Sequence, residues 1–181
     1  DTVVGLQEES DCFLTLLWRK SKFMLIFKLE SQTTDEVSRI FNILQELIPY
    51  GEYKRLFQVI LTDNGHEFFD VNNIECIQFT GEYVTHLFFC DPHMSCQKGM
   101  IEKNHEFIRY ILPKGSSLKN ITQEDCDLFM NNINSLCRDS LNGKCPYEAM
   151  LFLCDEYILK KLNCYFFEPD EVVLNDSLLK H

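Results

Sequence analysis

Two apolar runs near the start, CFLTLLW (12–18) and FMLIFKL (23–29), leave this chain few ways to begin folding. Both are rich in aromatic and branched side chains, and only the polar RKSK separates them. A connection that short predicts two antiparallel strands joined by a turn, because parallel neighbours need a crossover of roughly a dozen residues or more. DTVVG at the start reads as a further strand leading into the pair.

Beyond the hairpin the pattern alternates. Thr33-Thr34-Asp35-Glu36 is a capping-box signature, with Thr33 capping and Glu36 reaching back. Val37, Ile40, Phe41, Leu44, Leu47 and Ile48 then recur at helical spacing until Pro49. FQVIL (57–61) is a short strand-like run that ends in the turn chemistry of Thr62-Asp63-Asn64-Gly65. VTHLFFC (84–90) is another, stopped by Asp91-Pro92. A helical pattern runs from Lys98 to Leu112, a second opens at Thr122 and continues to Leu136, and PYEAMLFL (146–153) begins a third. Strands separated by a helix are generally parallel, so the order predicts an α/β fold. Its mixed five-stranded sheet has three antiparallel strands, then two parallel ones, flanked by helices. Residues 1–154 read as one core, and 155–181 as an irregular acidic tail.

At 181 residues and 45% hydrophobic, the chain is long enough to bury one substantial core. No apolar run reaches the ~18 residues of a membrane span, so a soluble domain without a membrane partner is expected. Nine cysteines form no C-x-x-C pair, which fits reduced thiols in a cytosol better than a disulfide framework. Cys90, His93 and Cys96 in CDPHMSC invite a zinc reading, but a closed site wants four ligands and no second pair follows. No structural zinc is expected.

Three carboxylates stand out by their surroundings: Asp1 at the start of the first strand, Asp63 at the carboxyl end of a strand, and Glu102 early on a helix. Ligands of open α/β sheets bind at that edge, and hard divalent cations take oxygen ligands from several elements. Two such cations can clamp a phosphodiester. Each acid also has a plain role. Asp63 suits a D-N-G turn, Glu102 suits a helix N-terminus, and Asp1 an exposed strand end. A net charge of −11 sits awkwardly with phosphate binding, yet the acidity is uneven. Lys98, Lys103, Arg109, Lys114 and Lys119 form a basic island around Glu102, which a solvated helix face would explain equally well.

LTDNGHEFF, FFCDPHMSCQKGMIEKNHEFIRYILPKGSSL, ITQEDCDLFMNNIN and LNGKCPYEAM, in this order, resemble the catalytic domain of bacterial insertion-sequence transposases of the IS-thirty family. These are integrase-core enzymes of the DDE group with a ribonuclease-H-like fold. DTVVG, TLLWRKSKFMLIFKLES and ILKKLNCYFFEPDEVVLNDSLLK fit the same family, so the resemblance covers essentially the whole chain. It implies that Asp1, Asp63 and Glu102 are the catalytic acids and hold two Mg²⁺ or Mn²⁺ ions for cleavage and transfer of DNA strands. It implies DNA contacts near the site from Lys98, Asn104, His105 and Arg109, and the basic island adds Lys114 and Lys119. Helix solubility and capping are equally good roles for these residues. Transposon ends and target DNA would be the partners, with a homodimer plausible for transposition, in a bacterial cytoplasm at the nucleoid.

The chain departs from the family pattern at several places. Met100 stands for a second Gly, Lys103 for Asn, and Trp18 for an acidic residue. Cys137 and Asp139 in SLCRDS replace Pro and Lys, Cys145 replaces Thr, and His66 replaces a Ser-like residue. None of these touches the three acids. A decayed or repurposed core acting as an interaction scaffold is the alternative, and a nuclease without joining activity a third. The resemblance also implies an upstream helix-turn-helix region that recognises terminal repeats. With Asp1 at a fraying terminus beside a free amino group, the chain as given is expected to bind metal poorly.

Overall fold

The computed structural model describes residues 1–91 and 97–179. Strands β1 (Thr2–Val4), β2 (Cys12–Leu17) and β3 (Met24–Leu29) form an antiparallel sheet in that order. Thr2 lies opposite Leu14, and Leu17 opposite Met24. The RKSK turn closes with Trp18 N–H on the Phe23 carbonyl (2.9 Å) and Lys22 N–H on the Trp18 carbonyl (2.7 Å). Lys22 takes a φ of 58°, a left-handed conformation that disfavours a side chain.

Helix α1 (Thr34–Leu47) buries Val37, Ile40, Phe41 and Leu44, the stripe its spacing predicts. Thr33 accepts the Glu36 N–H as expected, but the reciprocal half of the capping box is absent. The Glu36 carboxylate instead accepts from Glu30 N–H and from Arg39 Nε and Nη2, since a charge-assisted fork outcompetes a neutral amide. A short α2 (Tyr50–Leu56) follows Pro49 and stacks Tyr53 on Phe57, with ring centroids 4.5 Å apart.

Next come β4 (Val59–Thr62), α3 (Val71–Glu75), a small antiparallel hairpin of β5 (Cys76–Ile77) and β6 (Glu82–Tyr83), and β7 (His86–Phe89). β4 and β7 pair in parallel, Val59 with His86 through Thr62 with Phe89. All five expected major strands are present, three antiparallel and two parallel. Their hydrogen bonds nevertheless divide into separate ladders, β1-β2-β3 and β4-β7. The pairing of the first strand with β2 reaches only as far as Asp1 and Thr15, whose backbones exchange both hydrogen bonds. Beyond that point Leu16 and Leu17 of β2, Trp18 just after it, and Val59 and Leu61 of β4 line a shared cleft of about 370 Å³.

Helices α4 (Gly99–Ile111), α5 (Gln123–Ser135), α6 (Pro146–Met150) and α7 (Glu156–Lys161) complete the fold. α5 carries the full capping box, Thr122 with Asp125, and crosses β3. There the buried Asn134 amide accepts from Met24 N–H (2.9 Å) and donates to the Met24 carbonyl (2.8 Å), serving as an extra rung on that strand. Residues 155–179 are largely irregular after α7, yet they are packed, burying Ile158, Leu159 and Cys164. Among the described residues all cysteines are free thiols, and burial pushes Cys12, Cys145 and Cys154 up to about 11. Cys90 is described, whereas His93 and Cys96 lie outside the described residues.

Candidate active site

The site forms where the start of the first strand, the end of β4 and the start of α4 meet. β4 delivers Asp63 one residue past its carboxyl end. Gly65 N–H donates to Asp63 Oδ1 (3.3 Å), so the residue does form the expected turn. Its other oxygen, Oδ2, accepts from Lys98 Nζ at 2.7 Å. The same ammonium donates to Asp1 Oδ1 at 2.8 Å. Two carboxylates far apart in the chain thus meet on one cation. Partial burial alone would raise the Asp63 pKa, but the Lys98 hydrogen bond and charge outweigh it and hold the carboxyl below its ordinary range.

Asp1 is held from several sides. Its terminal amino group donates to the Thr15 carbonyl (3.0 Å), and its carbonyl accepts the Thr15 hydroxyl (3.0 Å). Burial, and then the neighbouring Lys98 charge, pull that amine down to about 5, so it is neutral at pH 7. The terminus is therefore tied into the sheet rather than frayed. Thr15 also meets His105 Nε2 at 2.8 Å. Burial, with the terminal amine, Lys98 and Arg109 nearby, lowers His105 to about 3 and keeps its ring neutral. Its Nδ1 lies 4.0 Å from Asp1 Oδ2.

Glu67, in the 3-10 turn His66–Phe68 that follows Asp63, is an acid not singled out from the sequence. It is buried, and its Oε1 accepts from the Thr2 hydroxyl and the Gln32 amide, both at 2.8 Å. The signal lay in the same TDNG turn. A Cβ on Gly65 would come within 2.5 Å of Glu67 Oε2, so a glycine here leaves that carboxylate its room.

Glu102 lies in the first turn of α4, exposed, with its N–H on the Lys98 carbonyl. It makes no side-chain hydrogen bond or ion pair with Asp1 or Asp63. Among the described residues no three His, Cys, Asp or Glu side chains stand close enough together to hold a metal. The two aspartates converge, and the glutamate stands apart from them.

The other expected DNA contacts divide by burial. Asn104 is 2% exposed; its amide donates to the Met100 carbonyl and its oxygen accepts from Arg138, which stacks over Phe107 at 4.1 Å. Arg109 donates to the Val4 carbonyl (3.2 Å). Asn104, His105 and Arg109 therefore fasten α4 to its neighbours. Lys114 and Lys119 are exposed, with no side-chain ion pair among the described residues. No described helix is long and apolar enough to cross a membrane.

No protein-family model matches the chain. Several curated proteins do. The integrase-like ORF3 of Spiroplasma virus SpV1-R8A2 B is 31% identical over 151 residues, covering 83% of this chain and 44% of that protein. The transposase for insertion sequence element IS1086 of Cupriavidus metallidurans is 30% identical over 136 residues, 75% of this chain and 37% of its own. The transposase InsI for insertion sequence element IS30C of Escherichia coli is 28% identical over 136 residues, 75% of this chain and 33% of its own. The chain thus spans less than half the length of these relatives. Among solved structures, the catalytic core domain of the HTLV-2 integrase, determined in complex with magnesium, matches with a TM-score of 0.54 at 17% identity. That match covers 82% of this chain and 91% of the other. Over about three quarters of its length this chain is thus similar to insertion-sequence transposases, IS30 among them, and it has the fold of an integrase core.

Proposed function

We propose that the chain is the catalytic core of a transposase that cuts and joins DNA strands, with Asp1, Asp63 and Glu102 as metal-binding acids. The observation that carries this reading is the meeting of Asp1 and Asp63 on one half-buried ammonium. That ammonium is a stand-in cation, and the pair offers hard, charged oxygens of the kind Mg²⁺ and Mn²⁺ prefer. Glu102 lies in the first turn of α4, the helix that Lys98 caps, and would be the third oxygen source. When bound, the metals would neutralise charge on the phosphate and lower the pKa of an attacking water.

The chain's own residues provide position and charge. Thr15 and the strand backbone fix Asp1, the Gly65 turn fixes Asp63, and neutral His105 backs the first of these without adding positive charge. Lys114 and Lys119 supply exposed charge for the DNA backbone, which positions rather than specifies. Transposon ends and target DNA would be the substrates, in the bacterial cytoplasm at the nucleoid, and two copies would bring two ends together.

Strand-cleavage and strand-transfer assays with the full-length protein test this. Asp63→Asn and Glu102→Gln should each lower both reactions by more than roughly a hundredfold, exceeding the loss typical of a residue one step removed from a metal. Normal folding of all three proteins with no reaction by any of them would favour the repurposed scaffold. Cutting without joined products would favour a plain nuclease.

A further inference from the structure

Lys98 occupies the point where the two aspartates converge. Its side chain and that of Asp1 are each 12% exposed, while Asp63 is 47% exposed. With Nζ 2.8 Å from Asp1 Oδ1 and 2.7 Å from Asp63 Oδ2, Lys98 supplies the positive charge that lets two carboxylates sit together. A divalent ion using the same oxygens would be repelled by the ammonium at short range, so the two cannot share the pair.

The lysine is also placed to leave. It caps α4 with backbone φ −106° and ψ −1°, outside the helix proper, and its four-carbon stem ends in three freely rotating donors. A DNA phosphate is an equally good acceptor for that ammonium. We propose that Lys98 is a built-in counter-ion that holds Asp1 and Asp63 together without metal and makes metal loading conditional on DNA, by moving from the carboxylates to a backbone phosphate. This rests on the reading of Asp1 and Asp63 as a metal-binding pair. Linkage then requires reciprocity: DNA tightens metal binding by the same factor that metal tightens DNA binding.

Mn²⁺ affinity, followed by the loss of the free-ion electron paramagnetic resonance signal at low ionic strength, tests the proposal. The proteins are the 181-residue chain, Lys98→Gln, Lys98→Arg, and Asp63→Asn in the wild-type and Lys98→Gln backgrounds. Each is measured with and without a short DNA duplex, after subtracting binding by the duplex alone, and circular dichroism checks folding. Lys98→Gln should bind Mn²⁺ at least about tenfold tighter than wild type without DNA, and gain nothing from the duplex. Wild type should gain a comparable factor when the duplex is added, and Lys98→Arg should stay as weak as wild type. A folded Lys98→Gln protein with unchanged or weaker Mn²⁺ affinity overturns the proposal, as does a duplex effect equal in both proteins. If Asp63→Asn lowers Mn²⁺ binding while Lys98→Gln fails to raise it, only the role of Lys98 falls. If Asp63→Asn leaves Mn²⁺ binding intact in the Lys98→Gln background, the metal-binding pair falls with it.

Discussion

The two ladders of this fold are built from similar residues and treated differently by solvent. In β2 and β3, Phe13, Leu14, Met24 and Leu25 are completely buried. In β4 and β7, Val59 is 63%, Leu61 38% and Phe88 55% exposed. The antiparallel sheet sits beneath α5 and next to α1, and it holds the core. The parallel pair carries Asp63 on its end and buries little on one face. The antiparallel ladder thus holds most of the buried core, while the site draws Asp1 from that ladder and Asp63 from the parallel one, and substitutions should tell the two ladders apart.

The largest separation should come from truncating matched leucines. Leu14→Ala on β2 should cost about 2–5 kcal/mol in urea unfolding, since it leaves a cavity in a dry core. Replacing Asn134 by Ala should cost about 1–3 kcal/mol, because the Met24 backbone then loses two partners in a buried site. If Asn134→Ala were neutral, the link between α5 and the antiparallel sheet would not be what stiffens this half.

A pH series sharpens the comparison at the site. His105 is held neutral down to about 3 in the folded chain but titrates near its ordinary 6.5 when unfolded. The unfolded chain therefore takes up the proton first as pH falls. This contribution to stability is complete above pH 6.5 and is lost toward pH 3, at no more than about 1.4 kcal/mol per pH unit. Between pH 6.5 and 5, above most carboxylate titrations, a His105→Gln protein should show a flatter stability profile than wild type. Equal slopes would mean that the ring is solvated. The smallest effect belongs to Leu61→Ala on β4, expected within about 0.5 kcal/mol of wild type. A cost as large as that of Leu14→Ala would erase the contrast between the ladders.

Legibility followed length and locality. The hairpin of β2 and β3, the α1 stripe and the Thr122 cap could be read because each signal spans a few consecutive turns or one strand. α2, α3 and the β5–β6 hairpin escaped because seven, five and two residues leave periodicity no room to show. The site was partly readable: the motifs around Asp1 and Asp63 marked residues that do come together. Lys98 looked like one more basic residue on an island, since no local pattern announces a lysine bonded to side chains 97 and 35 positions away. Asn104 and Arg109 were expected at DNA from the resemblance, and tertiary packing turns their polar atoms toward Arg138 and the Val4 carbonyl.

The polar edge of α5 has a practical consequence for anyone trimming the protein. Asn131 donates to the Asn163 carbonyl and accepts from Tyr165 N–H, Ser135 accepts from Phe167 N–H, and Asn132 accepts from Val173 N–H. The helix thereby acts as a template for a stretch that has almost no regular structure of its own. A shortened version ending near residue 154 would strip partners from buried amides and bare the apolar seat of Ile158, Leu159 and Cys164. Such a version would precipitate, and its failure would say nothing about whether the remaining residues can bind DNA.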